Sequence, residues 1–415
     1  MNIIWKIVNL LDYNLKKYLF FILIIILLTA LLETLSIATF YPLLDLLVNS
    51  SETEINLIKS IYKKIISFLA IDNISVLSLT AILVFIIYVL KILILLFCNW
   101  HNSSFEFKIR NYLTKKLYSI YLKKDYQSLI KYNSSDIIKN IDHELNIFSS
   151  GVAATMTIIT EGLIFFEIIS FLFYFNYKIT FSLLIFFALI LFLLQLSYNK
   201  ILVDWGKTSQ KFNKLRLQNF IETFNAIKEI KVFRKEKIFY RLMKKFNNRF
   251  FEVNKNEIFL RNVPRAFLEL VLIICVTGYL LFFSFNEITF SNVFASIGVY
   301  LVAAYRTFPS ANRIITSMQR LKFANPMITN IYDQINSENS DADNIFEKEH
   351  IDKNNFNFEK SIEINNCSFY FQNKNIKILD NLNGKFEKGK IYGIKGSSGV
   401  GKTTLLNVIV GLFEP

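Results

Sequence analysis

Long apolar runs, separated by charged stretches, fill roughly the first three hundred positions of the chain. Six of them reach the roughly 20 residues that a helix rising about 1.5 Å per residue needs to cross a bilayer. The first is YLFFILIIILLTALLETLSIATFYPLL at 18–44, interrupted by Glu33. The second covers about 74–100 around Lys91, and the third, 150–175, holds Glu161 and Glu167. ITFSLLIFFALILFLLQLSYN at 179–199 carries no charge, the fifth run covers about 266–285 with Glu269, and the sixth starts near 288 and passes Arg306. Only NYK separates the third run from the fourth, and SFNEITFSN the fifth from the sixth, so two tight helical hairpins are expected. The first run is too long for a cleaved signal peptide, and no small-residue cleavage site follows it. MNIIWKIVNLLDYNLKKYL before it reads as an amphipathic helix lying along the membrane interface.

The polar stretches carry helical patterns of their own. From 101 to 124 the pattern continues out of the second run, about 36 Å if unbroken. It reaches the turn-like KYNSSD at 131–136, where Asn133 or Ser135 is placed to cap a further helix. The second polar stretch repeats the plan, with a basic helix leading to FNAIKEIKVFRKEKIF at 224–239 and another returning toward Pro264. Between 333 and 357 the chain turns acidic and Asn-rich, as a linker would. Beyond it SIEINNCSFYF alternates like a strand, and KIYGIKG reads as a second short strand entering a glycine-rich turn.

With 53% hydrophobic residues and a mean hydropathy of +0.36 over 415 residues, the chain is too apolar for an ordinary soluble protein. The net charge of +14 raises the question of nucleic acid, and its distribution answers it. Sixteen Lys and Arg lie in 200–261 and eight in 101–149, whereas 49–75 balances three Lys with three acids and the hairpin tips hold only Lys178. By the positive-inside bias, both basic stretches and both termini face the cytoplasm, so the charge is topological and no nucleic-acid partner is expected. Cys98, Cys275 and Cys367 form no CxxC pair, and the three histidines are isolated, so neither a disulfide framework nor a zinc site is indicated.

One motif carries chemistry. G-x-x-x-x-G-K-[ST] is satisfied by Gly396, Gly401, Lys402 and Thr403 within GSSGVGKTTLL. Glycines let the backbone curl so that successive N–H groups point inward at phosphate oxygens, and a helix beginning near Lys402 adds its positive end. Lys402 supplies a mobile charge for β- and γ-phosphates, and Thr403 a hydroxyl for Mg²⁺. The expected ATP contacts are Gly396, Ser397, Ser398, Gly399, Val400, Gly401, Lys402, Thr403 and Thr404, with ATP and Mg²⁺ as cofactors.

Six spans, two long polar hairpins, a linker and a strand–loop–helix together resemble an ATP-binding cassette (ABC) exporter with fused permease and ATPase parts. The resemblance implies an all-α polytopic membrane domain at 1–335, a linker at 336–357, and the start of an α/β P-loop nucleotide-binding domain at 358–415. It implies a homodimer in a bacterial cytoplasmic membrane, embedded in lipid. In that family an aromatic residue stacks on adenine about thirty residues before the loop lysine. Here Phe371 holds that place, with Tyr370 as its alternative, and Phe in place of the usual Tyr keeps the stacking face. YQSLIKYNSSD and FNAIKEIKVF look like the coupling helices that carry motion from ATPase to permease. ETLSIATFYPLL and YRTFPSANRI resemble the flippases of lipid-linked oligosaccharides, which makes that amphiphile the expected cargo, with another lipid, a peptide or a drug as alternatives.

The family's signature sequence, its general-base strand and its switch histidine are not in these 415 residues, so the chain by itself is not expected to hydrolyse ATP by the family mechanism. The expectation is then a fragment or one half of a split gene whose second polypeptide supplies the remainder, with a non-transporting membrane scaffold or degenerate remnant as the alternative. Ionisable residues at membrane depth are costly and mark function. Lys91, Arg265 and Arg306, from three spans, are the candidate cargo contacts; against this, Arg265 can snorkel to the interface and Lys91 can pair with Glu161 or Glu167.

Overall fold

The computed structural model describes residues 3–39, 76–130, 133–175, 177–285, 294–337, 360–370 and 377–414. The end of the first run, most of the SFNEITFSN tip, most of the linker and Phe371 therefore lie outside the described residues. The chain divides into two compact units, Met1–Leu113 with Asp142–Gln334, and Thr114–Ile141 with Ile335–Pro415.

Long helices build the first unit: α1 (Ile3–Asn9), α2 (Tyr13–Ala38), α3 (Val76–Lys123) as far as Leu113, α6 (Leu145–Phe175), α7 (Tyr177–Asn225), α9 (Glu236–Phe285) and α10 (Phe294–Ser337) as far as Gln334. Between α3 and α6 lie α4 (Tyr126–Leu129) and α5 (Ser134–Ile138), both in the second unit, and a π-helical turn, Lys139–Glu144; α8 (Ile227–Val232) joins α7 to α9. Every apolar run thus falls on helix where it is described. Among the described residues three stretches, Tyr13–Ala38, Ser78–Lys123 and Ser134–Phe173, are long and apolar enough to cross a membrane, so three of the six expected spans are shown. The α6–α7 connection is as tight as expected, and the Thr180 hydroxyl of α7 donates to the Leu172 carbonyl of α6 at 2.9 Å.

Local chemistry sets the helix starts. Asp12 caps α2 by accepting from the Tyr13 N–H, which separates α2 from the short α1. Asn133, rather than Ser135, caps α5: its side chain accepts the Ser135 N–H at 3.2 Å. Asp125 does the same for α4.

Because α2 is apolar on all sides, hydropathy alone cannot say which face packs. Its polar residues can. Thr29, Glu33 and Ser36, at i, i+4 and i+7, are all buried, while Leu27, Leu28, Leu31 and Leu35 stay exposed. Thr29 and Ser36 donate to carbonyls three residues back, so their hydroxyls need no outside partner. Beside this stripe Ala30 and Ile37 pack with Ile164, Ile168 and Leu172 of α6 and Ala303 of α10. Lower in the unit the buried Glu144 carboxylate accepts from Gln210 of α7 (2.8 Å) and Asn330 of α10 (2.5 Å). Gly206 of α7 lies against the Phe323 carbonyl of α10, so close that a Cβ there would collide with it.

In the second unit β1 (Ser361–Tyr370) and β2 (Lys377–Glu387) form an antiparallel hairpin, and α11 (Lys402–Ile409) packs on it through Leu405 and Val408. The first strand is the expected one. The second expected strand is not formed: residues 390–396 take up no regular secondary structure, and Ile391 is exposed. A strand exists only through hydrogen bonds to a neighbour, and among the described residues no strand pairs with this segment, the sheet being β1 and β2 alone.

Candidate nucleotide and cargo sites

The glycine-rich loop adopts the curled backbone its sequence demands. Gly399 and Gly401 have φ of +84° and +99°, in the left-handed region that side chains disfavour. Gly401 is also the N-cap of α11, and its carbonyl receives the Leu405 N–H at 2.8 Å. A Cβ on Gly401 would come within 2.9 Å of Ile378, and one on Gly396 within 2.9 Å of Val400. Lys402 reaches back over the loop, donating to the carbonyls of Gly396 (2.9 Å) and Ser397 (2.7 Å). Its ammonium is thus centred on the loop's concavity. Thr403 is exposed at the first turn of α11, Thr404 is buried, and Ser397, Ser398 and Val400 are exposed. A curled backbone, an exposed hydroxyl and a centred cation fit a magnesium-bound nucleotide triphosphate.

Aromatic residues tie this loop's surroundings together. Phe369 of β1 and Phe413, just after α11, stack with centroids 5.0 Å apart and planes 6° apart. Tyr126 of α4, one of the expected coupling helices, lies 5.8 Å from Phe413. Tyr370, next along β1, points away from this core and is exposed.

Five ionisable residues of the membrane helices form one network, with a membership that differs from expectation. Lys91 of α3 pairs with Glu33 of α2 at 2.8 Å and also donates to Ser36 at 3.2 Å. It does not pair with Glu161 or Glu167. Arg306 of α10 donates to the same Glu33 oxygen at 2.5 Å and stands 3.8 Å from Glu161 of α6. Glu161 is held in turn by Arg313 (2.6 Å) and by the Ser310 hydroxyl (2.6 Å). Arg265 stays outside this group. It forms an i,i+4 pair with Glu269 on the surface of α9 and is 74% exposed, so the three cations do not line one cavity. A long basic side chain at the end of an apolar run gains more by reaching water than by entering the bundle.

Two anions and three cations leave the network one positive charge in excess. Glu33 is 1% exposed, and its second oxygen has no partner among the described residues. Beside the network is a cavity of about 270 Å³, lined by Arg306, Arg313 and Glu161 and by Asn99, Asn102 and Thr157. Arg313 and Ser310 are site residues that the sequence reading missed. The signal was there: they follow Arg306 at i+7 and i+4, on the same helical face.

Residues 19–305 match the family described as the ABC transporter transmembrane region, and residues 379–415 match the family described as ABC transporter. The first match covers more than half of the chain, which belongs to the ABC transporters as a membrane domain joined to part of an ATP-binding domain. Among curated proteins it is similar to a Mycoplasma pneumoniae protein described as a homologue of the ABC transporter ATP-binding protein MG014, 28% identical over 178 residues. A second relative is the nisin transport ATP-binding protein NisT of Lactococcus lactis, 40% identical over 55 residues. These matches cover 41% and 13% of this chain, and only 27% and 9% of the relatives' own lengths.

Proposed function

We propose that the chain is the permease and the beginning of the nucleotide-binding domain of a homodimeric, ATP-driven exporter or flippase. It crosses a bacterial cytoplasmic membrane six times with both termini inside. The observation that carries this reading is the lysine-centred loop at Gly396–Thr403, which follows a membrane domain in the same chain. In it Lys402 would hold the β- and γ-phosphates, Thr403 would face Mg²⁺, and the curled backbone from Ser397 to Gly401 would surround the phosphate chain. Phe371 would stack on adenine. When bound, ATP supplies the free energy for cassette closure, and the Tyr126–Phe413–Phe369 contacts give that closure a route into α4.

The cargo is an amphiphile with an anionic head, best matched by a lipid-linked oligosaccharide. Support comes from the excess positive charge of the Glu33–Lys91–Arg306–Glu161–Arg313 network and the cavity that Arg306 and Arg313 line. Guanidinium groups suit a pyrophosphate through bidentate bonds. In this reading Arg306 and Lys91 remain cargo contacts, Arg313 joins them, and Arg265 is an interfacial anchor. Another lipid, a peptide or a drug is the alternative cargo.

Reconstitution of the protein with a complete cassette in vesicles decides between them. Lipid-linked oligosaccharide should be flipped on addition of ATP. Absence of flipping, with ATPase activity stimulated instead by a peptide or another amphiphile, refutes the cargo assignment. ATP binding with no transport of any amphiphile leaves the non-transporting scaffold.

A further inference from the structure

The apolar run of α2 begins at Tyr18 and that of α3 ends at Trp100. The Tyr18 hydroxyl and His101 Nδ1 are 2.7 Å apart, so these two polar–apolar boundaries meet at one level of the membrane domain. Around His101 stand the rings of Phe97 (4.4 Å), Trp100 (4.8 Å) and Phe21 (5.3 Å). Phe20, Phe97 and Trp100 are exposed on the apolar side of this level. On its polar side the Lys108 ammonium lies 3.8 Å from the centre of the Tyr18 ring, and Lys16 and Lys17 are exposed nearby in sequence.

The acids close in sequence are directed elsewhere. Asp12 caps α2, and Glu106 is turned toward Ser149 and the guanidinium groups of Arg110 and Arg320. Lys108 forms no ion pair among the described residues.

We infer that this surface is a binding site for an anionic phospholipid, with its phosphate at Lys108 and the Tyr18–His101 pair and its acyl chains along Phe97 and Trp100. The argument is complementarity on two sides. Exposed rings at the interface accept acyl chain and glycerol, a surface that any phospholipid satisfies. A lysine with no carboxylate partner beside a Tyr–His pair adds recognition of negative charge, which a zwitterionic headgroup offsets with its own cation. Free phosphate meets only the polar half. The inference rests on the membrane domain, not on the proposed cargo, because α2 and α3 contribute this surface outside the Glu33 network.

Trp100 provides the probe. With Trp5→Phe and Trp205→Phe it is the sole tryptophan, and brominated lipids quench it only when they lie against it. In phosphatidylcholine–phosphatidylglycerol bilayers in which only one of the two lipids is brominated, brominated phosphatidylglycerol should quench Trp100 at about one third of the mole fraction that brominated phosphatidylcholine requires. In Lys108→Gln the two lipids should become equivalent, while Lys237→Gln on the distant α9 should keep the preference. Equal quenching in the parent protein overturns the site, and an undiminished preference in Lys108→Gln overturns the role of that lysine. Millimolar inorganic phosphate should leave quenching unchanged; relief of quenching would mean a free-anion site and refute the lipid. A circular dichroism spectrum matching the parent's confirms that each variant is folded.

Discussion

Arg306 on α10 donates its Nε–H to Glu33 on α2 at 2.5 Å, across 273 positions of sequence. Lys91 shares the acceptor, so one buried carboxylate ties three helices. Removing one member of a buried ion pair commonly costs about 3–5 kcal/mol, because the remaining charge is left uncompensated. Arg306→Gln should fall at the lower end of that range, since Lys91 still neutralises Glu33. Glu33→Gln should cost more, since it releases two cations. Thermal unfolding in detergent measures both, and the double variant should lose clearly less than the sum. Simple additivity would show that the two residues do not interact.

Lys402 donates to two carbonyls of its own loop, an arrangement that positions the charge without committing it to an acid. In the protein with a complete cassette, Lys402→Ala should abolish ATP-dependent transport while leaving membrane insertion and helix content unchanged. Transport at the parent's rate would remove the residue from the nucleotide site.

Gly206 is in contact with the backbone of a neighbouring helix, where a methyl group has no space. Gly206→Ala should destabilise the helical unit by about 1–3 kcal/mol through overpacking, outweighing the about 1 kcal/mol that alanine gains within a helix. Gly162→Ala, where no atom lies within 4 Å of the added Cβ, should be neutral or stabilising. Equal melting shifts for the two would refute the close approach of α7 and α10.

Below the apolar runs, Glu257 of α9 is buried and pairs with Arg261 at 3.0 Å. Burial pushes its carboxyl above the usual range, against the opposing pull of Arg261 and Arg320. A carboxyl raised in the folded state stabilises the fold fully below the unfolded value of about 4.3, and that contribution is lost as pH rises through the folded value. Melting temperature followed upward from pH 4 should therefore fall more steeply in the parent than in Glu257→Gln. Identical slopes would mean that burial does not govern this group.

Much of this architecture is written in local chemistry. The apolar runs, the cap within KYNSSD and the curled glycine-rich turn follow from the sequence, whereas the Asp12 cap, though equally local, came only with the structure. Each needs only residues within a turn or two: a helix satisfies its own backbone, and a cap or tight glycine turn acts over three or four positions. The polar stripe of α2 is just as local, yet of its members only Glu33 stood out in the sequence, and the burial of Thr29 and Ser36 beside it came with the structure.

Partners distant along the chain were decided only by the tertiary structure. Sequence marked Lys91, Arg265 and Arg306 as unusual, but not that Lys91 would take Glu33, that Arg313 would complete the group, or that Arg265 would stay outside. The pairing of β1 with β2, and the unpaired state of 391–396, were equally hidden. The physical reason is the same in each case: ion pairs at membrane depth and strand hydrogen bonds are satisfied by whichever group the packing brings within about 3 Å, and that distance is set by helices and turns far removed in sequence.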